Sequence, residues 1–322
     1  MPLNAKTIAD DEYFFGHKAC AGCGASLVVR TCLKVLGPNA VCALPAGCMS
    51  AVGFNFPQLC FANNAMITPF AATASVLTGI EAGLRAQGKK PEDCTVIGFA
   101  GDGATADIGL AALSGAIDRN DDVLYICYDN EAYMNTGVQR SSATPPAART
   151  ATTQVAGDEP GNAWGQGKDV PLIAMAHGIP YVATATVADL RDLERKVTKA
   201  MSVRGARYIH ILVPCPLGWG HGSGLTVQMA RMAQQTGIFP VFEAEYGEVT
   251  GVSKIRRKIP VEQYLKPQKR FAHLFGKNAD LTVIARIQAM ADRNIKDYGL
   301  IDEEEVETHP TAVQGDERAH HF

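Results

Sequence analysis

The chain has 322 residues, of which 47% are apolar, and its formal net charge at pH 7 is −3. This size and apolar content are ample for a large core, and the small charge gives no electrostatic footprint for nucleic acid or a membrane surface. Nine cysteines in a long chain fit a reducing compartment better than a disulfide framework. The sequence begins without an apolar signal segment and has no apolar run long enough to span a bilayer. We therefore expect a cytoplasmic protein with no nucleic-acid or membrane partner.

The first part of the chain alternates predicted helices and strands. Apolar periodicity predicts, in order, a helix at 25–36, a strand at 40–44, a helical segment at 68–87, a strand at 95–100, a helix with Ile108, Leu110, Leu113 and Ile117 on one side, and a strand at 123–128. Such alternation is typical of α/β folds. We therefore predict an α/β protein with a parallel sheet flanked by helices.

A long polar loop at 131–169 separates this part from a second α/β stretch. Loops of this length in compact domains are usually functional. Beyond the loop, the pattern predicts a helix at 171–177, a strand at 181–186, a helix at 189–203, a strand at 207–213, a helix at 223–235 and an edge strand at 239–245. We divide the chain into one domain at 1–300 and an irregular C-terminal extension, which is an acidic tail at 301–322.

Polar residues follow two of the predicted strands. Gly101-Asp102-Gly103 follows the strand at 95–100, and Asn130 follows the strand at 123–128. Parallel strands joined by a crossover helix end at the same edge of a sheet, where open α/β folds bind their ligands. One carboxylate, one side-chain amide and free backbone N–H groups suit an octahedral Mg²⁺ that bridges a diphosphate. The glycine run alone is also typical of an ordinary strand-to-helix turn, but the whole order of elements resembles the diphosphate-binding motif of thiamine diphosphate enzymes.

Four of the nine cysteines lie in segments that contain Gly or Pro, where thiolates on loops can converge on a metal. They are Cys20 and Cys23 in a C-x-x-C pair, Cys48 after a glycine, and Cys215 between two prolines. The other five have apolar surroundings and are predicted to be small buried side chains, namely Cys32, Cys42, Cys60, Cys94 and Cys127.

Three interpretations of the loop cysteines compete. A thioredoxin-like redox pair usually follows a strand, and the residues before Cys20 offer no clear one. A structural zinc site usually has two C-x-x-C knuckles, whereas this chain has one. A [4Fe–4S] cluster accepts scattered single ligands. Spacing alone leaves iron–sulfur and zinc open, and the thiamine diphosphate motif on the same chain favours iron–sulfur.

Four segments together resemble the β subunit of 2-oxoacid:ferredoxin oxidoreductases, particularly the pyruvate type (pyruvate synthase). They are GHKACAGCG at 16–24, GDGATADIGL at 101–110, YDNEAYMNTGVQRSSATP at 128–145 and HILVPCPLGW at 210–219. The resemblance implies an enzyme that oxidatively decarboxylates a 2-oxoacid to acyl-coenzyme A and CO₂ and passes electrons to ferredoxin or a similar acceptor.

The resemblance also implies roles for individual residues. It implies a [4Fe–4S] cluster held by Cys20, Cys23, Cys48 and Cys215. It implies Mg²⁺ ligation by Asp102, by Asn130 and by the main-chain carbonyl of Ala132. It places Asn135 beside the thiazolium ring of thiamine diphosphate and the substrate, as the catalytic residue. Further cofactor contacts are assigned to Gly47, Gly101, Gly103, Ala104 and Thr136. We expect Trp219 to pack over the cluster loop as an apolar shield.

The same resemblance implies partners, because nothing in the chain looks like the half that binds the aminopyrimidine. An α subunit would supply a glutamate for that ring and part of the substrate pocket, and γ and ferredoxin-like δ subunits would complete the assembly. The loop at 147–168 departs from the family pattern, so the substrate stays open, and we expect this loop to cover the site or contact the partner. The tail from 302 also departs from the pattern and indicates no function. Alternatives are the same chemistry on phenylglyoxylate or oxalate, a non-redox thiamine lyase or synthase, and a non-catalytic electron-carrier or zinc-stabilised scaffold subunit.

Overall fold

The computed structural model of the chain describes residues 12–163, 165–276 and 281–302. The predicted acidic tail therefore lies outside the described residues from position 303 onward. Residues 1–11, where we expect no signal segment, also lie outside them. No helix in the described ranges combines the length and the apolarity that crossing a bilayer requires.

Helices and strands alternate along most of the described chain. The helices are α1 (Gly24–Leu36), α2 (Cys48–Gly53), α3 (Thr73–Ala86), α4 (Leu110–Asp118), α5 (Val170–Ala176), α6 (Leu190–Ser202), α7 (Thr226–Thr236), α8 (Val261–Leu265) and α9 (Leu281–Asp297). The strands are β1 (Ala40–Pro45), β2 (Phe54–Asn55), β3 (Gln58–Leu59), β4 (Asn64–Thr68), β5 (Thr95–Gly101), β6 (Leu124–Asp129), β7 (Val155–Ala156), β8 (Glu159–Pro160), β9 (Tyr181–Thr186), β10 (Arg207–Leu212), β11 (Phe242–Glu245) and β12 (Glu248–Val252). Wide π-helical turns at Gly103–Ile108 and Pro216–Gly220 follow two of these strands closely.

Eight of the described strands form one mixed sheet, in the order β12-β11-β9-β10-β6-β5-β1-β4. The six strands from β9 to β4 are parallel, and β11 and β12 add an antiparallel hairpin at one side. The residues of β6, β9 and β10 are buried along their whole length, as expected for parallel strands covered on both faces. The predicted α/β fold is confirmed.

Four neighbouring strands of this sheet, β1, β5, β6 and β10, end at the same edge. Cys48 follows β1, Asp102 follows β5, Asn130 follows β6 and Cys215 follows β10. Because all four strands are parallel, their carboxyl ends bring these residues to one side of the molecule. This is where open α/β sheets bind ligands.

The apolar core lies on both faces of the sheet, with a third cluster under the C-terminal helices. On one face α1 and α6 cover the strands, and on the other face α3, α4 and α5 do so. The third cluster contains Trp219, Tyr264 and Phe271 and joins the loop after β10 to the segment from α8 to α9. This last cluster supports the edge that carries Cys215.

Several predicted elements differ from the observed ones. The predicted helical segment at 68–87 begins only at Thr73, and β4 precedes it. Ile108 is 54% exposed instead of lying on the buried side with Leu113 and Ile117, because a π-helical turn interrupts the α-helical period there. The predicted edge strand is β11, which lies inside the sheet because β12 pairs with it. Residues 261–297, for which we predicted no elements, contain α8 and α9. The division into domains stays a prediction.

Candidate functional site

Asp102 is the most deeply buried acidic group at the carboxyl edge of the sheet, with 1% of its surface exposed. The Ser141 hydroxyl donates a hydrogen bond to one carboxylate oxygen, and the backbone N–H of Asn130 donates to the other at 3.4 Å. Burial raises the pKa of Asp102, and the nearby Asp129 carboxylate raises it further. No cationic side chain in the described ranges forms an ion pair with Asp102.

The Asp102 carboxylate, the Asn130 side-chain amide and the Ala132 carbonyl meet at this edge. The outer end of the Asn130 side-chain amide lies 2.9 Å from the Ala132 carbonyl oxygen and 3.1 Å from Oδ1 of Asp102. The two ends of an amide are distinguished only by their partners. Without a cation, the amide nitrogen belongs at this position, where it donates to both oxygens. With the amide oxygen there, the spacings match the edges of a Mg²⁺ octahedron, which are about 2.9 Å for ligand distances of 2.0–2.1 Å. The donor set fits Mg²⁺.

The glycines of this edge let other groups approach closely. A Cβ on Gly103 would lie 2.6 Å from the Tyr133 ring, and a Cβ on Gly101 would lie 3.3 Å from the Tyr128 ring. The Tyr133 hydroxyl donates to Asp107 at 3.0 Å, which holds its ring over Gly103. Ala104 is buried in the π-helical turn that begins after Asp102. The first N–H groups of that turn lack helical acceptors and can donate to a phosphate.

Asn135 and Thr136 lie in an exposed turn three to four residues beyond Ala132. The N–H of Gly137 donates to the Met134 carbonyl at 3.3 Å and closes this turn. The Thr136 hydroxyl donates to the Gln139 side chain. The side chain of Asn135 is therefore presented at the surface of the site, and its role in catalysis stays a prediction.

The four loop cysteines lie in one region. Cys20 is exposed, and Cys23, Cys48 and Cys215 are half-buried. The pKa of Cys48 is raised to about 12. Burial is the largest cause, followed by the thiols of Cys215, Cys23 and Cys20 in decreasing order of effect. Burial also raises the pKa of Cys215, and Cys23 and Cys20 add to this effect. Among the described residues, no three His, Cys, Asp or Glu side chains meet closely enough to ligate a single ion.

Backbone donors surround two of these thiols. The N–H of Gly218 donates to Sγ of Cys215 at 3.5 Å. Cys23 directly precedes α1; burial raises the pKa of its thiol, and the N–H groups of Ser26 and Ala25 partly offset that rise. N–H groups aimed at sulfur stabilise thiolates and tune iron–sulfur clusters. Four neighbouring thiols with such donors fit a [4Fe–4S] cluster.

The remaining five cysteines are placed largely as expected. Cys32, Cys42, Cys60 and Cys127 are buried, and Cys94 is half-buried at the opposite, amino end of the sheet. Burial is the main cause of a raised pKa in each of them, as in a small apolar side chain. None of them contributes to the group formed by the four loop cysteines.

The sequence did not predict a buried ion pair behind the edge. His210 lies 2.9 Å from Asp129 through Nε2, and its Nδ1 is 2.7 Å from the Tyr208 hydroxyl. Asp129 also accepts the N–H of Glu131 at 2.8 Å. This contact fixes the start of the turn that carries Asn130 and Ala132. His210 lies among apolar residues of a buried strand, so the sequence pattern predicts a core position and gives no indication of its contact with Asp129.

A second group that the sequence did not predict consists of Trp219, Glu131 and Arg270. Trp219 is completely buried, and its indole N–H donates to the Asn130 carbonyl at 2.8 Å. The Arg270 guanidinium stacks 3.9 Å from the Trp219 ring centre and lies 2.5 Å from the Glu131 carboxylate. Trp219 is therefore a hydrogen-bonded link between two loops as well as the apolar cover that we expected.

The loop at 147–168, which departs from the family pattern, is fixed at its base and exposed at its tip. Ala147 and Asn162 are paired through a backbone hydrogen bond of 2.8 Å, and the N–H of Arg149 donates to the Arg270 carbonyl at 3.0 Å. Between them β7 and β8 form a small exposed hairpin. The prediction that this loop covers the site or contacts a partner stays untested.

Comparison with known proteins defines the class. A model of the thiamine pyrophosphate enzyme C-terminal TPP-binding domain matches residues 45–211, which include Cys48, Asp102 and Asn130 and the strands β5 and β6. A solved 2-oxoglutarate:ferredoxin oxidoreductase from Magnetococcus marinus shares the fold, with a TM-score of 0.53 and 21% identity over 70% of this chain and 81% of that one. The chain therefore has the fold of the thiamine diphosphate-binding half of such enzymes.

Closer relatives define the family. The chain is 45% identical to the pyruvate synthase subunit PorB of Methanosarcina barkeri, over 92% of this chain and 99% of that one. It is 44% identical to the ketoisovalerate oxidoreductase subunit VorB of Pyrococcus horikoshii, over 84% of this chain and 88% of that one. The chain belongs to this family of 2-oxoacid:ferredoxin oxidoreductase subunits, as the sequence motifs predicted.

Proposed function

We propose that this chain is the catalytic subunit of a multi-subunit oxidoreductase and that it carries thiamine diphosphate, Mg²⁺ and one [4Fe–4S] cluster. The reaction would convert a 2-oxoacid and coenzyme A to acyl-coenzyme A and CO₂, and two electrons would leave through the cluster to ferredoxin or a similar acceptor. One observation carries the proposal. Four adjacent parallel strands are followed within three residues by Cys48, Asp102, Asn130 and Cys215, so the metal–diphosphate donors and two of the four thiols share one edge.

The metal and diphosphate would be held by the Asp102 side of this edge. Asp102, Asn130 and the Ala132 carbonyl would ligate Mg²⁺, because the outer end of the Asn130 amide lies 2.9 Å from the Ala132 carbonyl oxygen and 3.1 Å from Oδ1 of Asp102, and the amide oxygen can take that position when a cation binds. N–H groups of the turn that begins at Gly103 would donate to the phosphates. When bound, thiamine diphosphate supplies a nucleophilic carbon and an electron sink for decarboxylation. Asn135, exposed beyond the turn that carries Asn130 and Ala132, would hydrogen-bond the substrate at its carboxylate or at the oxygen of its 2-oxo group.

The cluster would be held by Cys20, Cys23, Cys48 and Cys215. Support comes from the positions of Cys48 and Cys215 after two strands that end at one edge of the sheet, from the effect of the neighbouring thiols on the pKa of Cys48, and from the Gly218 N–H that donates to Sγ of Cys215. Gly47, directly before Cys48, donates its N–H to Ser50 at 2.8 Å, which fixes the start of α2. A cluster accepts electrons one at a time, so the chain would carry out oxidation without a hydride acceptor.

Partner subunits would complete the site. The matched family model is the C-terminal, TPP-binding domain, and the sequence contains nothing that looks like the half that binds the pyrimidine ring. An α subunit would supply the glutamate for that ring and part of the substrate pocket. γ and ferredoxin-like δ subunits would take the electrons onward. We place the assembly in the cytoplasm.

The substrate would be pyruvate or a close 2-oxoacid. Identities of 45% to a pyruvate synthase subunit and 44% to a ketoisovalerate oxidoreductase subunit leave small and branched acids equally supported. Phenylglyoxylate and oxalate are the further members of the test panel. The purified anaerobic complex, assayed with coenzyme A and each acid, should reduce ferredoxin with one of them at least tenfold faster than with the rest.

Cofactor analysis of the full chain tests the proposal independently of the substrate. Anaerobic protein should contain about four irons per chain and retain thiamine diphosphate with Mg²⁺. Cys48→Ser should lower the iron content, whereas the matched control Cys42→Ser should leave it unchanged. Stoichiometric zinc without iron would instead support the scaffold subunit. The isolated chain, reconstituted with all three cofactors, should not decarboxylate a 2-oxoacid, and robust turnover by it would refute the shared site.

A further inference from the structure

The turn that supplies Cys215 and the turn that supplies Asn130 are packed directly on each other. A Cβ on Gly218 would lie 2.1 Å from the sulfur of Met134, so the two turns meet there at backbone distance. The N–H of Val213 donates to the Asp129 carbonyl at 2.7 Å and continues the pairing of β10 with β6 up to both turns. Neither turn can shift without the other.

Trp219 hydrogen-bonds to both turns at once. Its backbone N–H donates to the Cys215 carbonyl at 2.9 Å, which closes the turn around the thiol. Its indole N–H donates to the Asn130 carbonyl at 2.8 Å, which fixes the peptide that leads from Asn130 toward Ala132. One buried side chain therefore connects the backbone of a proposed cluster ligand to the backbone of a proposed metal ligand.

Arg270 holds this connection from the other side. Its guanidinium covers the Trp219 ring at 3.9 Å and faces the Glu131 carboxylate at 2.5 Å, in an electrostatic contact instead of a directed hydrogen bond. Glu131 lies between Asn130 and Ala132 and has a left-handed backbone, with φ of +64°. Nε of Arg270 donates to Gln268 at 2.8 Å, and Gln268 is fully buried. The stack of Trp219 on Arg270 therefore has a fixed base.

We propose that Trp219 is a positioning residue that couples the two cofactor sites, so that each cofactor strengthens the binding of the other. This inference rests on the proposed function. Ordering one turn by its cofactor also orders the other, because Trp219 is hydrogen-bonded to both, and the second cofactor then binds a turn that is already in place. Such coupling is reciprocal, since the cluster must change the affinity for Mg²⁺–thiamine diphosphate by the same factor as the reverse.

Trp219→Phe tests the coupling, because it keeps a smaller aromatic ring against Arg270 and removes the indole donor. The dissociation constant of thiamine diphosphate, in saturating Mg²⁺, is measured by calorimetry on the full chain with its cluster and after iron removal. In the natural protein the cluster should lower this constant by about fivefold or more. In Trp219→Phe the ratio of the two constants should fall by about fivefold, toward one, as expected for one lost hydrogen bond.

Tyr264→Phe is the matched control. Tyr264 packs edge-on against Trp219 with the ring centres 6.3 Å apart, and its hydroxyl has no hydrogen-bond partner among the described residues. This variant removes a buried hydroxyl from the same cluster and leaves both hydrogen bonds of Trp219 in place. It should keep the ratio of the natural protein.

The reverse measurement is the rate at which an Fe²⁺ chelator removes iron, with and without Mg²⁺–thiamine diphosphate. The bound cofactor should slow iron loss several-fold in the natural protein and in Tyr264→Phe, and much less in Trp219→Phe. A ratio of one in the natural protein overturns the coupling even if the variant does not fold. A purely structural role for Trp219 would weaken both cofactors and leave the ratio unchanged, which also overturns it. Failure to bind iron or thiamine diphosphate at all would refute the proposed function instead.

Discussion

Two buried carboxylates of this protein have opposite surroundings. Asp102 is 1% exposed and Glu243 is 7% exposed, so both lie in the interior. Glu243, on β11, lies 2.5 Å from Arg195 and 3.2 Å from Lys199, and it accepts the Tyr181 hydroxyl at 2.8 Å. Asp102 receives one hydroxyl and one N–H, and no described cation pairs with it.

The pKa values show the same contrast. The contribution of burial alone is to raise the pKa of both groups. At Glu243 the hydrogen bonds from Arg195, Tyr181 and Lys199 outweigh burial and lower the pKa below its ordinary value. At Asp102 the neighbouring Asp129 adds to the effect of burial. The chain therefore neutralises Glu243 with its own cations, whereas no described cation neutralises Asp102, as expected if Asp102 is a ligand of the proposed Mg²⁺.

The strongest test of this contrast is Asp102→Ala. Even an outer partner of a metal ligand contributes about 10–100-fold to metal affinity, so removing a direct ligand should lower Mg²⁺–thiamine diphosphate affinity at least about 100-fold. Iron content should stay near that of the natural protein, because the thiols belong to other turns. Cofactor retention after desalting and iron analysis on the same sample measure both. Full thiamine diphosphate occupancy in this variant would rule out Asp102 as a metal ligand.

Asn135→Ala tests whether the exposed turn beyond the metal site acts on the reacting centre. Loss of one hydrogen bond that stabilises developing charge costs about 10²–10³-fold in turnover. The thiamine diphosphate dissociation constant should change much less, because no ligand of the metal is removed. The kcat of the assembled enzyme and calorimetry on the same preparation separate the two effects. Equal losses in both quantities would assign Asn135 to cofactor binding.

The position of Asp102 beside Asn130 was predictable because the fold leaves little choice. One crossover helix joins β5 and β6, and such units are right-handed and parallel almost without exception. Residues that follow the two strands must then share an edge. Local sequence was sufficient to predict this position, because β5 and β6 follow each other along the chain and pair directly in the sheet.

The place of Cys215 could not be derived from the chain pattern alone. Its strand, β10, pairs with β6, although a long loop, β9 and two helices separate them in sequence. No local signal specifies which strands become neighbours over that distance. The neighbouring prolines and the resemblance to a family grouped Cys215 with the other three loop cysteines, and the sheet order brings it to the edge where Cys48 lies.

The hairpin of β11 and β12 was missed although a signal was present. Tyr246 and Gly247 form a two-residue turn with φ of +52° and +88°, which is the conformation that joins antiparallel strands. A glycine at the second position is typical of such turns, but the tyrosine before it is unusual there. The hydrogen bond of Trp219 was missed for a different reason, because its apolar ring predicts packing and the sequence does not indicate a partner for its single side-chain N–H.

Matched isosteric changes, Asp102→Asn and Glu243→Gln, should have opposite effects on the stability of the cofactor-free chain. Glu243→Gln removes the charge that Arg195 and Lys199 face and should lower the free energy of unfolding by about 1–3 kcal/mol. Asp102→Asn removes an uncompensated buried charge and should raise the free energy of unfolding by about 0.5–2 kcal/mol. Replacing a functional residue often stabilises a protein in this way. Urea unfolding of both variants measures this, and a loss of stability in Asp102→Asn would end the contrast.

The smallest predicted effect is the pH dependence of the Glu243 contribution. Because its pKa is lower in the folded chain than in the unfolded chain, its stabilising effect is complete above the unfolded value, about 4.3, and is lost as the pH falls through the folded value. The difference in urea midpoint between the natural protein and Glu243→Gln should therefore be constant from pH 8 to about pH 5.5 and shrink in more acidic solution. The difference must shrink on acidification if cations inside the fold keep Glu243 ionised. A difference that grows on acidification would show that Arg195 and Lys199 do not hold Glu243 ionised.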